Sequence, residues 1–207
     1  MKNVLINFEI KGRVNDRAAV VVDGRQIDFI YSKNTSFGLS IPSNVFKKST
    51  ENNYTLDLLV ENMGRVDFGP TLNDLNIQRK GIQENILIDN KIQTNWQLFA
   101  LDFKTQFIER LKEQNWELIG DYRSPTFYRT KLIIKGEPSD TYLLLPNWTT
   151  SVVFINGFNI GRYWNVGPAK TLYVSAPLLR TGVNEIIIFE TQKNGFHIEF
   201  VDKPILQ

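Results

Sequence analysis

Cysteine is absent from the 207 residues, and His197 is the single histidine. Without cysteine, the chain has no thiol nucleophile, no disulfide and no thiolate zinc site. With one histidine, metal sites built from several histidines are excluded, and a Ser-His-Asp triad would have to use His197. His197 alternates with Phe196 and Ile198, which predicts that it shares a polar strand face with Glu199.

Excess charge of one sign and long apolar runs are also lacking. Lys and Arg number 24 and Asp and Glu number 22, so the net charge of +2 is too small to indicate a nucleic-acid partner. No stretch approaches the roughly 18 apolar residues that a transmembrane helix needs, so no membrane partner is expected. The N-terminal apolar run, Val4 to Ile6, is far shorter than the about 7 to 15 residues of a signal peptide. We therefore expect no signal peptide in this chain.

Three N-glycosylation sequons indicate the secretory pathway instead. Their asparagines are Asn34, Asn53 and Asn147. Because sequons also arise by chance, three of them are a weak indication. One explanation reconciles the sequons with the missing signal peptide, namely that the sequence begins downstream of its natural N-terminus.

Short apolar and β-branched runs separated by turn residues recur along the chain. They predict strands near 4–10, 18–23, 26–31, 36–41, 54–60, 85–88 and 96–101, and again near 126–135, 140–145, 151–156, 159–164, 170–174, 184–190 and 196–201. Asp23-Gly24 and Asn156-Gly157 lie between such runs. Both pairs predict hairpin turns, because these residue types accept positive φ at little cost.

One segment, 101–114, has helical periodicity. Phe103, Phe107 and Leu111 recur every four residues within it, and charged residues take the other side. This spacing predicts a single amphipathic helix in an otherwise strand-rich sequence.

The helix divides the strands into two series. We therefore predict a first β-domain at 1–105, a linker helix at 106–119 and a second β-domain at 120–207. Each domain is long enough to bury a core. Many short strands with frequent turns predict an all-β fold with two jelly-roll or β-sandwich domains and one short connecting helix.

Acidic residues are candidates for chemistry, because two carboxylates suffice for glycoside hydrolysis. Glu61 stands out, since it follows an apolar strand and precedes Asn62-Met63-Gly64-Arg65. A polar cluster at a strand end commonly fixes a loop by hydrogen bonds, and we favour that structural interpretation. A surface or turn role is likewise favoured for the other candidates, which are Asp57, Asp67, Asp74, Asp121, Glu185, Glu190 and Glu199.

Trp148 and Trp164 lie near the ends of predicted strands. An exposed ring at the rim of a sandwich can stack on the C–H face of a sugar, whereas a buried ring fills the core. Because sandwich cores are commonly rich in aromatic residues, core packing is the favoured interpretation. Sugar stacking by Trp148 and Trp164 is the alternative.

Several stretches carry a family resemblance. Residues 56–66 read LDLLVENMGRV and residues 155–164 read INGFNIGRYW. Together with 15–18, 96–102 and 200–204, they closely resemble the C-terminal half of lysosomal-type β-galactosidases of glycoside hydrolase family 35. The resemblance covers nearly the whole chain, and its two long motifs are specific in combination.

The resemblance implies two galactose-binding-domain-like β-domains that follow a catalytic TIM barrel. The family's catalytic glutamates lie on that barrel, which needs about 250 residues. No catalytic residue is therefore carried over to this sequence, and we expect the chain to be inactive alone. The implied function is to brace the barrel and shape the rim of its galactoside pocket. The resemblance also implies a lysosomal or secreted location, no cofactor and no metal, and a first domain that lacks an N-terminal strand.

The loop after Glu61 is where the resemblance implies contact with the barrel or the pocket rim. The matching positions are Asn62, Arg65, Asp67 and Phe68. The family usually continues with Asn-Tyr-Gly where this sequence has Asp-Phe-Gly at 67–69, so a hydroxyl that could contact a sugar is missing. An alternative is that Arg65 pairs with a carboxylate and fixes the loop.

Two other functions stay open. The chain could be a stand-alone carbohydrate-binding module that binds galactosides through Trp148 and Trp164. It could also be a hydrolase with its own carboxylate pair on a sandwich, such as Glu61 and Glu199, although this is the least favoured hypothesis.

Overall fold

The computed structural model describes residues 5–32, 35–42, 45, 54–64, 79–118, 120 and 125–206. The chain divides into two compact units, residues 1–98 and 99–207. The strand pairs of both units are antiparallel throughout the described residues. No helix in these ranges is long and apolar enough to cross a membrane.

The described residues of the first unit form mainly strands. They are β1 (Leu5–Ile10), β2 (Val14–Asn15), β3 (Arg17–Val22), β4 (Arg25–Tyr31), β5 (Phe37–Pro42), β6 (Leu56–Glu61), β7 (Gly81–Ile82), β8 (Ile86–Ile88) and β9 (Lys91–Ile92). The sheet orders are β5-β1-β8-β9, β4-β3-β6 and β2-β7.

The core of the first unit lies between its two larger sheets. Phe8 and Ile10 of β1 and Ala18 and Val20 of β3 are buried together in one apolar cluster. Since successive residues of a strand point to opposite faces, each strand supplies every second residue to this core. The unit is therefore a β-sandwich, as the predicted all-β fold requires.

The second unit combines strands with a helix. Its elements are α1 (Thr105–Lys112), β10 (Thr126–Ile134), β11 (Thr141–Leu144), β12 (Thr150–Ile155), β13 (Phe158–Trp164), β14 (Thr171–Val174), a short 3₁₀ helix (Ala176–Leu178), β15 (Gly182–Glu190) and β16 (Glu199–Val201). The sheet orders are β10-β15-β12-β13 and β14-β11-β16.

The second unit is also a sandwich, with its core between these two sheets. Leu143 and Val174 of the three-stranded sheet meet Val153 and Ile188 of the four-stranded sheet in a single buried cluster. The prediction of an all-β fold with sandwich domains is thus confirmed for the described parts of both units.

Helix α1 covers the other face of the four-stranded sheet. Ile108 is buried against Phe154 of β12 and Ile187 of β15, while the neighbouring Ile186 and Ile188 face the sandwich core. Both faces of β15 are therefore covered, which explains its continuous apolar run. The helix predicted as a linker lies within the second unit, and the observed division at residues 98 and 99 precedes it.

The helix begins later than its periodicity predicts. Phe103 has φ of 51°, a left-handed conformation that an α-helix does not contain. Its ring nevertheless packs on the sheet, with its centroid 5.6 Å from that of Phe154 and 5.4 Å from that of Phe189. The spacing of Phe103 and Phe107 therefore reflects a shared contact surface, although only Phe107 is helical.

Both predicted hairpin turns are confirmed. Asp23 and Gly24 join β3 to β4 with φ of 48° and 76°, and Asn156 and Gly157 join β12 to β13 with φ of 50° and 83°. Positive φ at both central residues is the geometry that the right-handed twist of a hairpin favours.

The strand predicted at 96–101 is wrong. The structure assigns no strand to this range, and the side chains of Leu98 and Phe99 are 94% and 81% exposed. An apolar run forms a strand when a face of it packs against neighbours and becomes buried. The segment has the composition of a strand, but its apolar side chains are not buried against neighbours.

Candidate functional site

The loop that the sequence singles out begins where β6 ends. Glu61 is the last residue of β6, and Asn62, Met63 and Gly64 follow without regular structure. Asn62 is exposed, and its Oδ1 accepts a 2.9 Å hydrogen bond from the Gly64 backbone N–H. The other predicted members of the rim, which are Arg65, Asp67 and Phe68, lie outside the described residues.

Asp16, directly before β3, holds this loop. Its Oδ2 accepts a 2.7 Å hydrogen bond from the Met63 backbone N–H, and its own backbone N–H donates to the Glu61 carbonyl at 3.0 Å. Both carboxylate oxygens lie 2.6 Å from Nζ of Lys80. Charge-assisted hydrogen bonds of this kind are stronger than neutral ones, so Asp16 joins three separate segments of the chain.

A buried ion pair lies beside this anchor. Arg17 and Glu61 are directly opposite in the register of β3 and β6, with Nη1 of Arg17 3.2 Å from Oε1 of Glu61 and the side chains 1% and 8% exposed. The guanidinium carbon of Arg17 lies 4.0 Å from the centre of the Phe29 ring. Removing one partner of such a pair is costly, because it takes an opposite charge away from a group that stays buried.

These contacts limit the chemistry that the site can perform. A general acid or base has to reach the substrate and exchange a proton with it. Glu61 is buried against Arg17, and Asp16 is held by Lys80 and by the Met63 N–H. Their geometry suits support of a loop, which agrees with the structural interpretation of Glu61.

Sequence reasoning missed the pairings that build this anchor. Asp16 and Lys80 are separated by 64 positions, and only the folded chain brings them together. One signal was available, since Asp16-Arg17 directly precedes the wholly apolar run 18–22. Charges next to a buried strand need partners, although the sequence does not say which.

The second unit holds a buried carboxylate at the end of β15. Glu190 is 1% exposed. It accepts hydrogen bonds from the Ser151 hydroxyl at 2.7 Å and from the backbone N–H groups of Thr149, Thr150, Gln192 and Lys193 at 2.8 to 3.2 Å. Burial raises the pKa of Glu190, and these hydrogen bonds oppose that effect. The carboxylate fastens the start of β12 to the turn that follows β15.

The two tryptophans predicted as sugar platforms lie in different environments. Trp148 is 3% exposed, and the Tyr128 ring meets it edge-on with the ring centroids 5.0 Å apart. Its Nε1 donates a 2.9 Å hydrogen bond to the His197 carbonyl. Trp148 therefore fills the core, the favoured interpretation, and offers no exposed ring face. Trp164 is half-buried at the end of β13, and its stacking role stays a prediction.

Other predicted positions lie at the surface. Nε2 of His197 is 2.9 Å from Oε1 of Glu199, so the alternation correctly places both on one face. Asn147 is exposed in a turn with φ of 65°, and its glycosylation stays a prediction, while Asn34 and Asn53 lie outside the described residues. No group of three or more His, Asp or Glu side chains in the described ranges is placed to hold a metal ion.

Comparison with known proteins decides the family. The family model described as "Beta-galactosidase, first all-beta domain" matches residues 2–102. The model described as "Beta-galactosidase, galactose-binding domain" matches residues 125–184. The chain belongs to the β-galactosidase family. The family predicted from the motifs around Glu61 and Gly161 is confirmed.

Curated relatives extend this result along the chain. The chain is 37% identical to Beta-galactosidase-1-like protein 2 of Homo sapiens over 199 residues, which is 95% of this chain and 29% of that protein. It is 38% identical to Beta-galactosidase 1 of Dictyostelium discoideum (83% of this chain, 25% of that protein) and 36% identical to Beta-galactosidase of Bos taurus (94% and 32%). The chain thus spans between a quarter and a third of the length of these relatives.

Proposed function

We propose that this chain is the non-catalytic β-domain region of a β-galactosidase. In this role it braces and rims a TIM barrel of the same polypeptide, which hydrolyses terminal β-galactosides in the lysosome or outside the cell. The observation that carries the proposal is the match of nearly the whole chain to β-galactosidases about three times longer, through an all-β domain and a galactose-binding domain.

The anchored loop after β6 supports a bracing role. Asp16 accepts a hydrogen bond from the Met63 backbone N–H, and the buried pair of Arg17 and Glu61 fixes the strand end from which the loop departs. A loop held in one conformation before contact loses little entropy when it docks against a neighbouring domain or a ligand. The carboxylates of Asp16 and Glu61 are already paired with Lys80 and Arg17, which favours support over proton transfer.

A hybrid enzyme tests the proposal. The matching segment of bovine Beta-galactosidase is replaced by this chain, and hydrolysis of a nitrophenyl β-galactoside is measured beside the isolated chain. We expect turnover by the hybrid and none by the isolated chain. Asp16→Asn should lower the activity of the hybrid, whereas Asp57→Asn, on an exposed position of β6, should not. Hydrolysis by the isolated chain would overturn the proposal.

A second candidate function is a stand-alone carbohydrate-binding module. The match of residues 125–184 to a galactose-binding domain favours it. Calorimetric titration of the full chain with galactose and lactose tests it, with mannitol as a control for non-specific heat. Absence of heat or spectral change at millimolar sugar would exclude this function.

A further inference from the structure

The outer face of the sheet β14-β11-β16 carries a row of side chains that the sandwich core does not use. Leu143 of β11 is buried in the core, so the adjacent Tyr142 points to the opposite face. In the register of the sheet, Tyr142 lies opposite Tyr173 of β14 and opposite Val201 of β16. Because neighbouring strands are about 4.8 Å apart, this row is about 10 Å wide.

Two aromatic rings form most of the row. The ring centroids of Tyr142 and Tyr173 are 5.6 Å apart with the planes inclined at 56°, and Tyr173 is 50% exposed. The rings thus form a shallow, open apolar surface rather than a closed pocket. A tyrosine ring offers an apolar face for C–H groups and a hydroxyl for polar ones.

A carboxylate is fixed at the end of this row. Oδ2 of Asp140 accepts a 2.6 Å hydrogen bond from the Tyr173 hydroxyl, and Oδ1 accepts a 2.8 Å hydrogen bond from the Ala176 backbone N–H. Each carboxylate oxygen has a second lone pair, so each can accept one further hydrogen bond. The same two contacts, the Tyr173 hydroxyl first, lower the pKa of Asp140.

We infer that Tyr142, Tyr173 and Asp140 form a binding site for a single hexopyranose, with galactose as the sugar that fits best. The rings would cover the apolar C–H face of the sugar, and the Asp140 oxygens would accept hydrogen bonds from two adjacent hydroxyls. Galactose suits this surface because its axial 4-hydroxyl leaves one contiguous C–H face. The inference rests on the second candidate function and names its site. All three residues lie within or beside the range matched to a galactose-binding domain.

The experiment is a calorimetric titration of the full chain with methyl β-galactoside. Tyr173→Ala removes an aromatic ring and the hydroxyl that donates to Asp140. Asp140→Asn replaces the carboxylate at an exposed position by an amide. We expect each to weaken the affinity by about tenfold or more, the change that about 1.4 kcal/mol produces. Phe158→Ala, which removes an equally exposed ring from β13 of the same unit, is the matched control and should leave the affinity unchanged.

The outcomes separate this site from the proposed function. Loss of affinity for methyl β-galactoside in Tyr173→Ala and in Asp140→Asn, with an unchanged near-ultraviolet circular dichroism spectrum, supports the site. Binding that survives both changes but disappears in Trp164→Ala overturns the site and keeps the sugar-binding function. If the unaltered chain does not bind the sugar, both the site and the carbohydrate-binding function are overturned.

Discussion

Glu190 stabilises the second unit because its carboxylate accepts hydrogen bonds from several donors at once. Its carboxylate accepts hydrogen bonds from four backbone N–H groups and one hydroxyl. In Glu190→Gln, an amide NH₂ group would face some of these donors and leave them unpaired. We expect a loss of about 2–4 kcal/mol in the free energy of unfolding, because each buried unsatisfied donor costs about 1–3 kcal/mol.

Urea unfolding in mildly acidic buffer, followed by hydrogen exchange of β12 peptides, checks this prediction. The control is Glu199→Gln, which alters a half-exposed carboxylate of the same unit. Its effect should stay within about 0.5 kcal/mol, as for most surface substitutions. Equal effects of the two substitutions would contradict the role given to Glu190.

The same residue predicts a pH dependence. Burial raises the pKa of Glu190 above its ordinary value of 4.5, so the folded state binds this proton more tightly than the unfolded state. Its contribution to stability is fully present below the ordinary value and is lost as the pH rises through the raised pKa. The difference in unfolding free energy between the unaltered chain and Glu190→Gln should therefore shrink as the pH rises. A difference that grows with pH would contradict this prediction.

The pair of Arg17 and Glu61 allows a double-variant test in the first unit. Arg17→Met removes the cation that lies opposite the buried Glu61 charge and should destabilise the unit by about 3–5 kcal/mol. Adding Glu61→Leu removes that charge and should recover most of the loss. Hydrogen exchange of β3 and β6 peptides measures both effects, and Arg25→Met at an exposed position of β4 is the control. A double variant that is no more stable than Arg17→Met would contradict the argument.

At the scale of elements, helix α1 shows how far a sequence pattern reaches. The spacing of Phe107 and Leu111 predicts an amphipathic helix, and the structure confirms it. The pattern cannot say which surface the apolar stripe covers, because Phe154 and Ile187 lie far along the chain. The exposed residue Phe99 shows the opposite case, in which a pattern predicts an element that does not form. An apolar run alone does not create a strand.

The candidate sites depend still more on tertiary structure. The motif around Glu61 predicts a candidate loop, but the anchors of that loop, Asp16 and Lys80, meet only through the pairing of distant segments. The pair of Tyr142 and Tyr173 likewise depends on the register of β11 against β14. Alternation along one strand predicts which side chains share a face of that strand, but not which residues of the next strand lie opposite them. The sequence therefore does not predict that Tyr142 and Tyr173 are neighbours.

Packing of α1 on the sheet is testable through Ile108, which is fully buried between Phe154 and Ile187. Ile108→Ala should destabilise the second unit by about 2–5 kcal/mol, because it removes buried methylene groups and leaves a cavity. Arg110→Ala changes an exposed residue of the same helix and should have little effect. Thermal unfolding of both variants checks this, and a small effect of Ile108→Ala would mean that the helix is not docked.

At the scale of the whole molecule, each unit has its own core. The cluster around Phe8 and Val20 uses residues of the first unit alone, and the cluster around Leu143 and Ile188 uses residues of the second. A compact unit with a self-contained core can fold independently. The second unit includes helix α1, because the helix covers one face of the four-stranded sheet.

The boundary before the helix is therefore the one at which the chain can be cut. A fragment of residues 99–207 should be folded and monomeric, whereas a fragment of residues 113–207 lacks α1 and uncovers Phe127, Phe154 and Ile187. An exposed apolar sheet face promotes association, so the shorter fragment should aggregate or bind a hydrophobic dye. Size-exclusion chromatography and dye fluorescence compare the two fragments. A shorter fragment that stays monomeric with dispersed amide resonances would show that the helix is a linker, as the sequence pattern alone predicts.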